Sequence, residues 1–420
     1  MEKSYGRVKA ACYSANISMA VVANLSPLLF ITFRNLYGIS YSLLGLLVLV
    51  NFFTQLTIDL IFSFFSHKFN ISKTVKTMPY LTAVGLLIYA LWPFAFPNAV
   101  YLGLVIGTVI FSVSGGLAEV LISPVIAAIP SENPEREMSK LHSIYAWGSV
   151  GVIVVGTLFL LLLGGVGGKN WQWLVLLLTL LPLLSCCLFS GAKIPKMQTP
   201  ERVSGALEML KKKEVWLCVF AIFLGGASEC TMAQWSSGYI EQALGIPKIW
   251  GDIFGMALFA LTLGLGRSLY AKYGKNIEKV LFFGAIGATA CYLIAAVSSI
   301  AVFGLIACAF TGFCVSMLWP GSLIVATDRI PMGGVFIFAM MAAGGDLGAS
   351  VGPQLVGVIA DTVSASTGLT GLAQTLGVTM EQLGMKAGML VGMLFPLIAV
   401  FIYLYILRSK KKRQVLSDGK

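Results

Sequence analysis

Charge is what this sequence has least of. Asp, Glu, Lys and Arg make up 11% of its 420 residues, against 57% hydrophobic residues and a mean hydropathy of +0.87. A soluble domain carries about 25% charge, so the composition excludes a water-soluble protein and leaves lipid as the solvent. Histidine is almost missing, with two residues, and the eight cysteines include no C-x-x-C pair. These absences exclude a clustered Cys/His metal site and a disulfide framework. The cysteines read instead as small core residues. No H-E-x-x-H occurs, and "GGVGGKNW" departs from a P-loop at Leu163 and Asn170, which excludes ATP-driven transport by this chain. With no nucleophile–base set, the chain reads as no enzyme and as needing no cofactor.

What charge there is sits in particular places. The net +11 is gathered in short segments between apolar runs, "HKFNISKTVK", "KKKE", "AKYGKNIEK" and "RSKKKR". That is the pattern of cytoplasmic loops beside anionic lipid, not of a nucleic-acid surface. A membrane span needs roughly 20 apolar residues. Twelve stretches qualify, near 10–35, 40–66, 75–96, 98–129, 138–164, 170–192, 215–242, 246–273, 277–298, 300–328, 332–361 and 384–408. Alternate loops hold most of the Lys and Arg, while the others hold only Arg34, Lys169, Lys248 and Lys386. The bias puts both termini in the cytoplasm, with the N-terminus starting the first span and no cleaved signal preceding it. A plasma membrane of the bacterial inner type and a monomer are the expectations. The stretch 362–383 is polar and suits a short surface helix.

The chain also repeats itself. Gly116 and Pro124 in the fourth span match Gly312 and Pro320 in the tenth, and each segment closes on Ile-Pro. "AWGSVG" echoes "AGGDLG", and the loops after spans two and eight share N-I-x-K at Asn70–Lys73 and Asn276–Lys279. Matched offsets point to a duplicated six-helix unit. The expected division is a first bundle over 1–192, a cytoplasmic linker over 193–214 and a second bundle over 215–420. The fold class is therefore all-α, with twelve transmembrane helices in two pseudo-symmetric bundles.

This architecture resembles the major facilitator superfamily over the whole chain. The superfamily's loop signature between spans two and three is degraded here to "SFFSHKFNISK", so the likeness lies in the architecture. "GGLAEVLISPVIAAIP" with "LHSIYAWGSVG", and further "ASECTMAQWSSGYI", "GLGR" and "SMLWPGSLI", resemble the fucose:proton symporter family. There a glutamate in span four precedes a proline. The acidic residue of that family's span one is missing, "VVANLSPLLF" offering only Asn24 and Ser26. The resemblance implies two bundles rocking about a midplane site, as secondary transporters do. It matches Glu119 to the family's coupling or sugar-contacting glutamate.

An ionisable group at a span's centre costs about 2.5–3.5 kcal/mol, so each one calls for a cavity or a partner. Five stand out: Asp59, Glu119, Glu229, Arg267 and Asp346. Glu119 follows Gly115 and Gly116, which would let a helix or ligand approach, and it is the first candidate for cation coupling. Asn51, Gln55 and Asp59 recur at i, i+4 and i+8 and share one face. Asp59 is either a second coupling group or a gate acid pairing with Lys68. With Glu119, these oxygens also suit Na⁺. Glu229, Gln234 and Trp235, with Asn24, Asn51, Gln55, Tyr145 and Trp319, are the candidate solute contacts, because a sugar presents both C–H faces and hydroxyls. Tyr239, and by the alternative reading Trp235, would sit in the interfacial aromatic belt. Arg267 and Asp346 are candidate inter-bundle gate charges, Arg267 alternatively snorkelling to the interface. The whole reads as cation-coupled transport, H⁺ ahead of Na⁺, of a small polar solute such as a sugar. The alternative is a proton-coupled exporter of drugs or organic cations.

Overall fold

A computed structural model describes residues 5–65, 68–130, 134–195, 209–298, 300–330 and 334–418; most of the expected linker lies outside them. Among the described residues the regular structure is entirely helical. In hydrocarbon every backbone N–H and C=O must be satisfied within its own segment, and the helix does this. The helices are α1 (Gly6–Tyr37), α2 (Tyr41–Phe65), α3 (Ile71–Ala95), α4 (Val100–Ala127), α5 (Pro134–Leu162), α6 (Trp171–Ser190), α7 (Lys213–Leu244), α8 (Leu258–Tyr273), α9 (Ile277–Val297), α10 (Ala301–Val315), α11 (Leu318–Arg329), α12 (Gly334–Ser364), α13 (Thr370–Leu376), α14 (Met380–Gly392) and α15 (Leu394–Asp418). A π-helix, Gly251–Ala257, leads into α8. Among the described residues, eleven helical segments are long and apolar enough to cross a membrane. A twelfth is the bent pair Ala339–Ser364 and Thr367–Leu376, whose parts meet at 75°. Alpha13 is the short helix expected within 362–383.

The chain divides into two compact units. One comprises Met1–Ile39 and Leu46–Val203, the other Ser40–Gly45 and Ser204–Lys420. In the first, α1, α3, α4 and α6 enclose a core of Val8, Cys12, Met78, Leu121, Val125 and Phe189. The backbones of α3 and α4 meet at glycines. A Cβ at Gly85 would stand 2.6 Å from Phe111 N, and one at Gly107 2.8 Å from Gly85 O. In the second unit, Gly344, Gly348 and Gly352 line one face of α12. A Cβ there would lie 2.9 Å from Val219 O, collide with Phe223 O, and lie 3.0 Å from Ala227 O. Those carbonyls recur every fourth residue along α7. Small residues at such spacing let membrane helices pack closely where no hydrophobic drive exists.

The repeat is visible as shared geometry. Asn70 caps α3 by accepting from Lys73 N, and Asn276 caps α9 by accepting from Lys279 N. Tyr89 on α3 bonds Ser26 of α1 at 3.0 Å; Tyr292 on α9 donates to Ser228 O of α7 at 2.8 Å. Gly116 of α4 abuts Gln55 O of α2, and Gly312 of α10 abuts Phe259 O at the start of α8. Of the eight cysteines, five are buried, two half-buried and Cys187 exposed. The reading of all eight as core residues therefore fails at Cys187, on the outer face of α6.

Candidate functional site

The acids of the first unit come together. Gly115 and Gly116 do admit a neighbour, and it is α2. A Cβ on Gly115 would sit 3.2 Å from Gln55 Cδ, and one on Gly116 3.2 Å from Asp59 Oδ1. One turn on, Glu119 places a carboxylate oxygen within 4.8 Å of one from Asp59. Asp59 is buried. Glu119 is solvent-accessible although it lies eight residues, or about 12 Å, inside the end of α4. A polar ladder continues along α2. Gln55 Nε2 donates to Asn51 Oδ1 at 3.1 Å, and Ser112 Oγ of α4 donates to the same oxygen at 2.6 Å. Asn51 Oδ1 thus has both lone pairs engaged. Of the four residues with oxygens suited to Na⁺, this leaves Asp59 and Glu119, with Gln55 beside them. Lys68 stands over the Phe65 ring, 5.0 Å from its centroid.

In the second unit Glu229 and Arg267 form an ion pair. Arg267 Nη2 donates to both Glu229 oxygens, at 3.0 and 3.1 Å, and Nε donates to Ser316 O at 3.0 Å. Sequence spacing paired Arg267 with Asp346 across bundles, or sent it out to the interface. In this structure the arginine instead reaches inward to the middle of α7, where a largely enclosed carboxylate outweighs the pull of the interface, and it lies in the same unit as Asp346. Its side chain keeps 43% of its surface exposed and that of Glu229 16%, so the pair stays reachable. Asp346 is buried on α12.

The aromatics are placed differently from their expected roles. Trp235 is fully buried, its indole N–H donating to Pro353 O at 2.8 Å and its ring edge-on to Tyr41. Tyr239 is buried too, its hydroxyl donating to Ala295 O, so neither is a belt residue. Each lies on the packed side of α7, where a ring with one polar atom needs one internal partner. Trp319 wedges against Gly226 and Gly345, where added Cβ atoms would lie 2.9 and 2.5 Å from its ring. Gln234 is buried near Trp235, Asn24 donates to Ala20 O of its own helix at 2.8 Å, and Tyr145 is half-buried on α5. The structure thus brings together Asn51, Gln55, Asp59 and Glu119, and separately Glu229 and Arg267.

Ser112 and Ser114 are the polar residues that sequence reading passed over. Ser114 Oγ takes a bond from Thr82 Oγ1 at 2.7 Å and donates to Met78 O at 2.6 Å. A signal existed for Ser112, which stands two turns before Glu119 and so shares its face.

Residues 11–353 match the profile of the Major Facilitator Superfamily. No curated protein matches the sequence. Among solved structures, the E. coli fucose:proton symporter is 16% identical, with 96% of this chain and 99% of that one covered and a TM-score of 0.61. The E. coli xylose transporter XylE, in a partially occluded inward-open conformation, is 12% identical over 96% and 99%, at 0.69. The POT family transporter PepTSo is 13% identical over 98% and 99%, at 0.72. At such identities the likeness is one of fold.

Proposed function

The chain belongs to the major facilitator superfamily, and from that premise we propose that it carries a small uncharged polar solute, such as a sugar, together with a cation, H⁺ ahead of Na⁺. The superfamily consists of carriers, not enzymes, and the chain is a multi-pass membrane protein. The observation that carries the coupling is the approach of Asp59 and Glu119 within 4.8 Å among apolar helices. Two carboxylates that close repel each other when both are charged, and a bound cation or proton relieves that repulsion. Glu119 is the accessible member and takes up the ion. Loading it neutralises the site and lets the carrier close around its solute; release restores the charge. No acid stands at the matching positions of the second unit: the crossings of Gly116 on Gln55 O and Gly312 on Phe259 O match Asp59 to Leu263, and the Gly116–Gly312 offset matches Glu119 to Val315.

The Glu229–Arg267 pair supports an uncharged solute. It offers donors and acceptors side by side with no net charge, as a diol requires. A cationic drug gains nothing from an acid already neutralised, and this sets the exporter reading second. The fucose:proton and xylose structures among the fold neighbours agree with a sugar. Both termini are assigned to the cytoplasm from the distribution of Lys and Arg. A thermal-shift screen of monosaccharides, nucleosides, organic acids and lipophilic cations, at two pH values with and without Na⁺, tests the reading. Stabilisation by a monosaccharide that depends on pH is expected. Stabilisation by lipophilic cations with sugars inert would reject it in favour of export.

A further inference from the structure

At the end of the second unit where α7, α9 and α12 terminate and α14 begins lies a half-open cavity of about 640 Å³. Ligand sites run about 300–1,000 Å³ and are mostly apolar with a few placed polar groups. The wall is built that way: Leu244, Val297, Leu372, Leu376 and Leu390 face it, and among the described residues Lys386 is the one charged side chain lining it. The lysine is half-buried. Its ammonium donates to Ser298 O at 2.8 Å, at the C-cap of α9, and to Ala296 O at 3.3 Å in its last turn. An ammonium has three donors, so one remains. Glu381, on the preceding turn of α14, is taken up by the Tyr41 hydroxyl at 2.7 Å.

Alpha13 indicates what enters. It turns 75° from the spanning α12, so it runs across the direction of the spans. Leu372 and Leu376 on it are 48% and 57% exposed, and Val297 opposite is 62% exposed. A short helix lying crosswise with bare leucines belongs at the boundary between headgroups and acyl chains. A cavity open at that level meets lipid before it meets any solute. The sequence places Lys386 on the Lys/Arg-poor side of the spans, and here, on α14, it lines an apolar hollow.

We propose that this cavity binds a membrane lipid with an anionic headgroup, the acyl chain lying against the leucine wall and the headgroup accepting the remaining Lys386 donor. The test is native mass spectrometry of the full chain, delipidated in mild detergent and titrated separately with phosphatidylglycerol and phosphatidylcholine of equal chain length. Phosphatidylglycerol is expected to bind more tightly. Lys386→Gln should weaken it about fivefold, the effect of one lysine beside an anionic headgroup, while Lys386→Arg keeps it and Leu372→Asp weakens both lipids. Equal binding of the two lipids by the native chain, or an unchanged preference in Lys386→Gln, overturns the proposal. So would stabilisation by water-soluble carboxylates that is lost in Lys386→Gln with lipid binding intact.

Discussion

At the scale of single residues, the Glu229–Arg267 pair can be separated into its parts. Removing the guanidinium strands a carboxylate that is largely enclosed, and breaking an enclosed pair from one side is costly. Arg267→Met should therefore destabilise by about 1–3 kcal/mol, discounted because the arginine is partly exposed. Adding Glu229→Gln should recover most of that loss in thermal unfolding. Equal losses in the single and the double variant would show that the arginine works through packing alone. Glu137 gives a prediction outside the spans. The Lys9 ammonium bonded to it, helped by the Tyr13 hydroxyl, holds its carboxyl below the usual range. A lowered value means that the stabilisation is complete above the ordinary carboxylate range and disappears as pH falls through the lowered one. The pair is partly exposed, so Glu137→Gln should cost only about 0.2–1 kcal/mol at neutral pH, and nothing in strong acid. Melting curves at both pH values check this. Individual residues were legible where chemistry is costly. Asp59 and Glu119 stood out because an acid among hydrocarbon needs a reason, whereas Trp235 and Tyr239 did not betray their depth. An aromatic ring suits an interface and a core alike, and only its hydrogen-bond partner, far along the chain, decides.

Helices are held together here by close approach, and that is the element-scale claim. Gly348 lies against Phe223 O with no room for a methyl group, while nothing stands within 4 Å of a Cβ on Gly151. Gly348→Ala should lower the melting temperature by about 1–3 °C, the consequence of overpacking a close helix pair. Gly151→Ala should leave it unchanged. Equal behaviour of the two would remove the α7–α12 contact as a stabilising feature. Much at this scale was written in the sequence. The N-I-x-K echo became two matching helix caps, and Gly116 and Gly312 became two matching crossings. The short polar stretch became α13. The π-helix before α8 and the break between α10 and α11 were not legible, because each is a change in hydrogen-bond register within an unbroken apolar run. The pairing of Arg267 with Glu229 was not legible for a related reason: spacing gives the face of its own helix but not the depth to which a long side chain climbs along its neighbour.

Across the whole molecule, the duplicated scaffold carries unequal chemistry. The first unit holds Asp59 and Glu119, the second the Glu229–Arg267 pair and the buried Asp346, although their caps, tyrosine bonds and glycine crossings correspond. On the proposed reading, ion coupling falls to Asp59 and Glu119 and solute contact to the Glu229–Arg267 pair. Glu229→Gln should then weaken solute binding, while the dependence of whatever transport remains on an imposed proton gradient is kept. Loss of that dependence with binding intact would reverse the assignment. The decisive measurement is uptake into proteoliposomes, under an imposed proton gradient, of the solute that the thermal screen identifies. Native protein should accumulate it above equilibrium. Glu119→Gln should cut that accumulation about tenfold or more, a typical coupling energy, while still exchanging labelled for unlabelled solute. Undiminished accumulation by Glu119→Gln would contradict the account.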